Sequence, residues 1–183
     1  MKPICVEILA EWDQIREEAL FVKDVVVLQE TDPSFQSDKL KCSMVKQSLS
    51  GGLEKVYSGL ENIMVRIASD IDGGKPSNEA WHQRLLQQMA VDIPHVRPKV
   101  LSETTVIGTR ELLKFRHRSR HLYGTSLDLR RLLGMAHALP ETLDHFFADT
   151  RRFSLHMGLA TEDEFPTVWG GPTPGEPSAF SPR

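Results

Sequence analysis

Cysteine is scarce: two residues in a chain of 183, Cys5 and Cys42, with no metal-ligand spacing between them. That excludes a disulfide-stapled scaffold and a cysteine-based metal knot, and reads as reduced thiols in a cytoplasmic protein. No apolar run approaches the ~18–20 residues that a helical membrane span requires. The start of the chain reaches Glu7 and Glu11 before any apolar stretch develops, so no signal-peptide core is expected. Alternation of apolar and polar residues is never sustained, which leaves little to recommend β-structure. Excess charge of one sign is also missing, since the net charge is only −3. The chain is therefore not a diffuse polyelectrolyte, and any binding of anions must come from a concentrated site.

What the chain does have is helical periodicity. Ile4, Ile8, Trp12, Ile15, Ala19, Val22 and Val26 recur at steps of three and four and predict one helix ending near Thr31-Asp32-Pro33. Leu40, Met44, Leu49, Leu53, Val56, Leu60, Ile63 and Ile67 predict a second, running through Gly51-Gly52 and stopping at Asp72-Gly73-Gly74-Lys75-Pro76. Ser77 is a candidate N-cap for a short third helix carrying Trp81, Leu85, Leu86 and Met89. A fourth starts near Ser102 with the stripe Leu101, Thr105, Gly108, Leu112, Phe115, Ser119 and Leu122. Its small residues Gly108 and Ser119 suggest close approach of another helix, and Gly124 ends it. Thr125 or Ser126 can cap a fifth, with Leu127, Leu132, Met135 and Leu139, which Pro140 kinks or interrupts before Leu143, Phe146 or Phe147, and Phe153. Trp12 and Trp81 are expected in the core.

The fold expected is all-α, an up-and-down bundle of about five helices over residues 1–160. Residues 161–183 hold five of the eleven prolines and three glycines, and are expected to form an irregular tail, extended or partly disordered. Phe165, Val168 and Trp169 could pin its first part to the bundle.

The fourth helix carries the chemistry. Arg110, Lys114, Arg116, Arg118 and Arg120 fall within eleven positions with Glu111 as the only acid between them. At 100° per residue, Arg116, Arg120 and Tyr123 share a face, and His117 and His121 form an adjoining row. An arginine, a histidine and a tyrosine so placed suit phosphate chemistry: a fixed cation, a proton carrier near neutral pH and a hydroxyl. His117 and His121, four apart, also match two metal ligands. No acid or cysteine has the spacing to supply a third, and the surrounding cations would repel a metal, so neither metal nor other cofactor is expected. His82, His95, His137, His145 and His156 read as surface or capping residues.

At these residues the chain resembles the HEPN superfamily, and within it the HepT-type toxins. Arg116-His117-x3-His121 fits the signature of arginine, polar residue and histidine, and Tyr123 completes the Arg-x4-His-x-Tyr form. The segment from Leu53 to Met89, with Asp72-Gly73-Gly74, Pro76-Ser77 and Ala80-Trp81-His82, is similar to one HepT-like subgroup. The likeness covers roughly residues 35–155. It implies a HEPN-like bundle acting as a metal-independent endoribonuclease, the toxin of a toxin–antitoxin pair. Arg116 would hold the scissile phosphate and His121 would move a proton. Arg110, Lys114, His117, Arg118 and Arg120 would gather the RNA backbone. The partner implied is an MNT-type nucleotidyltransferase antitoxin that adenylylates Tyr123, with toxin homodimers and a higher hetero-oligomer with antitoxin. The histidine after Arg116 departs from the commoner asparagine and makes His117 a rival of His121 as base; its place in the signature favours His121. The alternative implied by the same superfamily is a non-catalytic nucleotide- or substrate-binding partner of a nucleotidyltransferase.

Overall fold

The computed structural model describes residues 1–77, 79–119 and 127–165. Among them are six helices and no strands: α1 (Pro3–Thr31), the single turn α2 (Ser34–Ser37), α3 (Lys39–Asp70), α4 (Trp81–Met89), α5 (Glu103–Ser119) and α6 (Leu129–His156). This is an all-α bundle. None of the helices is long and apolar enough to cross a membrane.

Every residue of the first predicted stripe is buried, and α1 stops at Thr31 as its Asp32-Pro33 signal requires. Pro3 opens it at a position where its missing N–H has no helical partner to lose. Antiparallel α1 and α3 close on one another through glycines. A Cβ on Gly52 would lie 2.5 Å from Val22 Cγ2, and one on Gly59 would lie 2.4 Å from Ile15 Cγ1. Gly51, by contrast, faces open space. The helix runs unbroken through the pair because tertiary packing outweighs a propensity cost of about 1 kcal/mol per glycine.

α3 is the central element. It packs against α1, α2, α4, α5 and α6. Its apolar register from Leu49 to Ile67 is buried, but Leu40 and Met44, expected on the same stripe, are exposed, and full burial on α3 begins at Val45. Asp38 caps it, its carboxylate accepting from the amides of Leu40 and Lys41 at 2.8 and 3.0 Å. Gly73, at φ 83°, supplies the left-handed residue that turns the chain away at its end.

Other local expectations shift. Ser77 does not cap α4, which begins after Ala80 without a side-chain cap. Asp128, not Thr125 or Ser126, caps α6 by accepting from Arg130 N; Thr125 and Ser126 themselves lie outside the described residues. Pro140 does not break α6, which continues through it. Gly108 does mark a close approach, since a Cβ there would sit 2.7 Å from Thr142 Oγ1 on α6. Trp12 is core, wedged edge-on against Phe146 and Phe147. Trp81 is only partly buried at the margin. Phe165 is buried against Phe147, with ring centroids 5.7 Å apart. Val168, Trp169 and the rest of 166–183 lie outside the described residues.

Two buried carboxylates set the frame around α5. Asp149 on α6 accepts from Ser102 N and Thr105 Oγ1, both at 2.6 Å, and so caps α5 from a neighbouring helix. Asp72, at the end of α3, is gripped by Arg97 through Nε at 2.6 Å and Nη2 at 2.7 Å. Arg97 also donates to the carbonyls of Gln88, Val91 and Pro98, which fixes the segment joining α4 to α5.

Candidate active site

α3 is apolar around most of its circumference between Val56 and Ile67, yet it carries Tyr57 and Glu61 one turn apart on a buried face. An ionised carboxylate taken out of water requires partners. Glu61 finds three. Tyr57 on its own helix donates its hydroxyl to Oε1 at 3.0 Å. His82, the second residue of α4, places Nδ1 against the same oxygen. Arg116, in the last turn of α5, donates Nη1 to Oε2 at 2.9 Å. The three elements are thus tied at one buried acid, with the Glu61, Arg116 and His82 side chains 7, 13 and 15% exposed. Burial pushes the Tyr57 hydroxyl far above the ordinary tyrosine range, and the Glu61 charge with its hydrogen bond pushes it further. Tyr57 therefore remains a donor at every physiological pH.

The arginine is held by one end. Nη1 bonds Glu61 and lies 3.4 Å from His82 Nδ1, and the guanidinium sits 5.3 Å from the centroid of the Tyr57 ring. Its Nε and Nη2 have no hydrogen-bond partner among the described residues. Glu61 thus fixes one corner of the fork and leaves the other edge presentable to an oxyanion.

Around this centre lies an aromatic and cationic margin. Trp81 stacks on His82 with ring centroids 3.7 Å apart, and Lys75 Nζ covers Trp81 at 4.2 Å. The exposed His117 ring meets His82 edge-on at 5.6 Å. Arg110, Lys114 and His117 line a groove of about 160 Å³ between α4 and α5, closed on the other side by Gln83, Leu86 and Gln87. Arg118 points elsewhere and lines a groove towards α6 with Asp128 and Arg131. Lys114 is ion-paired with Glu111 in the open, at 2.6 Å, so part of the cluster's charge is locally compensated.

The structure thus brings Arg110, Lys114 and His117 to one groove beside α4, seats Arg116 on Glu61 of α3, and sends Arg118 to a groove towards α6. Arg120, His121 and Tyr123 lie outside the described residues. His82 is not the surface or capping residue its sequence context indicates, because it sits under Trp81 against Glu61. Tyr57 and Glu61 were not singled out in the sequence at all. The available signal was an acid and a phenol, Glu61 and Tyr57, that fall among the apolar residues Val56, Leu60 and Met64 of the buried face of α3 and not with Lys55, Asn62 and Arg66 on its exposed one. His95 and His156 are exposed and His137 pairs with Glu30 at 2.9 Å near the surface, as expected of them. Among the described residues no group of three or more His, Cys, Asp or Glu is placed to hold a metal.

A profile of the HepT-like protein family matches residues 48–157, from the apolar half of α3 through the end of α6. The chain belongs to this HepT-like family, within the HEPN superfamily, and the match contains every residue of the cluster around Glu61. No curated protein and no solved structure matches the chain.

Proposed function

We propose that this protein is the toxin component of a toxin–antitoxin pair, a metal-independent endoribonuclease. The observation that carries the reading is the half-anchored Arg116. A guanidinium pinned at Nη1 by a buried carboxylate is pre-oriented, and its remaining N–H edge matches the spacing of two phosphate oxygens. There it would hold the scissile phosphate and stabilise charge gathering on the pentacoordinate transition state. His121, four residues beyond His117 in the family signature, would move a proton between the ribose and phosphate oxygens. Cleavage would proceed by attack of the ribose 2′-oxygen and leave a 2′,3′-cyclic phosphate. The groove of Arg110, Lys114 and His117 supports a path for flanking phosphates, with affinity that falls as salt rises.

Tyr123 is the proposed off-switch. A nucleotidyltransferase antitoxin that adenylylates it would add negative charge and bulk beside the cations and repel RNA. Two copies of the chain, with their α5 helices meeting, would place two such sites in one cleft.

The test is cleavage of labelled single-stranded RNA in EDTA. The wild-type protein should cut it, and Arg116→Ala and His121→Ala should each lose the activity and the associated growth arrest. Arg116→Lys should also fail, because an ammonium cannot present a fork. Tight nucleotide binding without cleavage would replace this reading with that of a non-catalytic partner of a nucleotidyltransferase. Mass spectrometry after co-expression with the antitoxin should find the adenylyl group on Tyr123; its presence only on other residues would remove the off-switch.

A further inference from the structure

His82 has the geometry of a proton carrier. Its Nδ1 lies against Glu61 Oε1, a contact much closer than the 3.4 Å to Arg116 Nη1. The carboxylate accepts only, so Nδ1 carries the hydrogen and donates it. In the neutral ring this fixes the tautomer and leaves the lone pair on Nε2. Nε2 has no hydrogen-bond partner among the described residues, and the ring remains 15% exposed. Trp81 covers one face of the imidazole and His117 meets its edge, so the ring cannot turn freely. A carboxylate that orients an imidazole and leaves the far nitrogen bare is the arrangement that makes histidine a base in hydrolytic triads. Its neighbour Arg116 is the group that would hold a phosphate.

We propose that His82 is the general base of the reaction, taking the proton of the ribose 2′-hydroxyl on Nε2 while Arg116 holds the adjoining phosphate. The inference rests on the ribonuclease reading above and divides its two proton transfers between two rings. The 2′-oxygen forms a bond to phosphorus as its proton passes to His82. The bond from phosphorus to O5′ breaks as the His121 imidazolium gives a proton to the leaving oxygen. The products are a 2′,3′-cyclic phosphate and a 5′-hydroxyl, and exchange with water resets both rings. Among the described residues, the charged and titratable groups facing His82 are Glu61 and Tyr57 from α3, Arg116 and His117 from α5, and Lys75 across Trp81 from the loop before α4. Glu61 stabilises the imidazolium formed in the step, and the Tyr57 and Arg116 donors keep that carboxylate in place.

The experiment uses the full chain and a fluorescent DNA oligonucleotide carrying one ribonucleotide, so that one linkage is cleavable. A second oligonucleotide has sulfur in place of the bridging 5′-oxygen, a leaving group that needs no acid. The variants are His82→Ala, His82→Asn, which keeps a donor for Glu61 but has nothing in place of Nε2, and His121→Ala. Both His82 variants should lose about 10²- to 10⁴-fold in rate on either substrate. Their pH–rate profiles should lack the acidic limb, and added imidazole should restore part of the rate of His82→Ala. His121→Ala should recover on the sulfur substrate. Wild-type rates and pH dependence in His82→Asn would overturn the assignment. So would rescue of the His82 variants by sulfur, which would make the ring the acid, or rates that imidazole leaves unmoved, which would make it a structural part. If the wild-type protein cuts neither oligonucleotide, the ribonuclease reading falls and takes this one with it; cutting by the wild type with an unaltered His82 profile sinks this one alone.

Discussion

Replacing Glu61 by glutamine removes one charge and almost no volume from the point where α3, α4 and α5 meet. The carboxylate now accepts from Tyr57 Oη at 3.0 Å, from Arg116 Nη1 at 2.9 Å and from His82 Nδ1. A carboxamide offers one oxygen and turns an N–H₂ group towards at least one of these donors. Bonds to charged groups are each worth about 1.5–3 kcal/mol. Breaking a fully buried ion pair costs about 3–5 kcal/mol, and the 13% exposure of Arg116 lets water recover part of that. The expected loss is about 3 kcal/mol, which for a chain of this size lowers the melting temperature by about 6–12 °C. Urea unfolding followed by circular dichroism measures it. Arg116→Met and the double variant complete a cycle, whose coupling should reach about 1 kcal/mol or more. A Glu61→Gln protein within about 0.5 kcal/mol of wild type, or a cycle that closes additively, would show that Glu61 does not anchor the arginine.

Three further outcomes follow from the packing and charges. Gly51→Ala should stabilise by about 0.5–1 kcal/mol, since its Cβ meets nothing within 4 Å. Gly52→Ala, one residue on, should destabilise by about 1–3 kcal/mol, because its Cβ would lie 2.5 Å from Val22 Cγ2; thermal melts of the pair should therefore differ in sign. Burial opposes the charge of Asp149, but the hydrogen bonds from Ser102 and Thr105 and the nearby Arg152 outweigh it and hold its carboxyl below the usual aspartate range. A depressed folded pKa contributes stability that is complete above about pH 4 and is lost as pH falls below that. Asp149→Asn should thus be less stable than wild type at pH 7 and should lose less between pH 5 and pH 2, as acid titrations of denaturant midpoints would record. Asp72→Asn leaves Arg97, whose side chain is fully buried, without its counter-charge and should cost about 3–5 kcal/mol in urea unfolding; a loss under 1 kcal/mol would mean the pair does not hold the α4–α5 segment.

Much of the bundle was readable before its structure. The seven-residue stripe of α1, the stop at Asp32-Pro33 and the stripe from Leu49 to Ile67 depend only on the 3.6-residue period and on local termini. Such signals do not depend on distant residues. The errors have the opposite character. Leu40 and Met44 continue the period of α3 but lie on its exposed surface. Pro140 has a strong local meaning that the packing of α6 overrides. Ser77 is a good cap for a helix that starts four residues later.

The candidate site divides along the same line. The sequence by itself determined an all-α chain with a dense cluster of cations on one of its helices, because composition and period are properties of consecutive residues. It also placed Arg116 and His117 on that helix; Arg120, His121 and Tyr123 lie outside the described residues. Only the tertiary structure decided that Glu61, 55 residues before Arg116, holds that arginine by one nitrogen. The same is true of His82, which reads as a surface residue until Trp81 and Glu61 close round it. A buried carboxylate announces in sequence that it needs partners, and it is the crossing of three helices that chooses them.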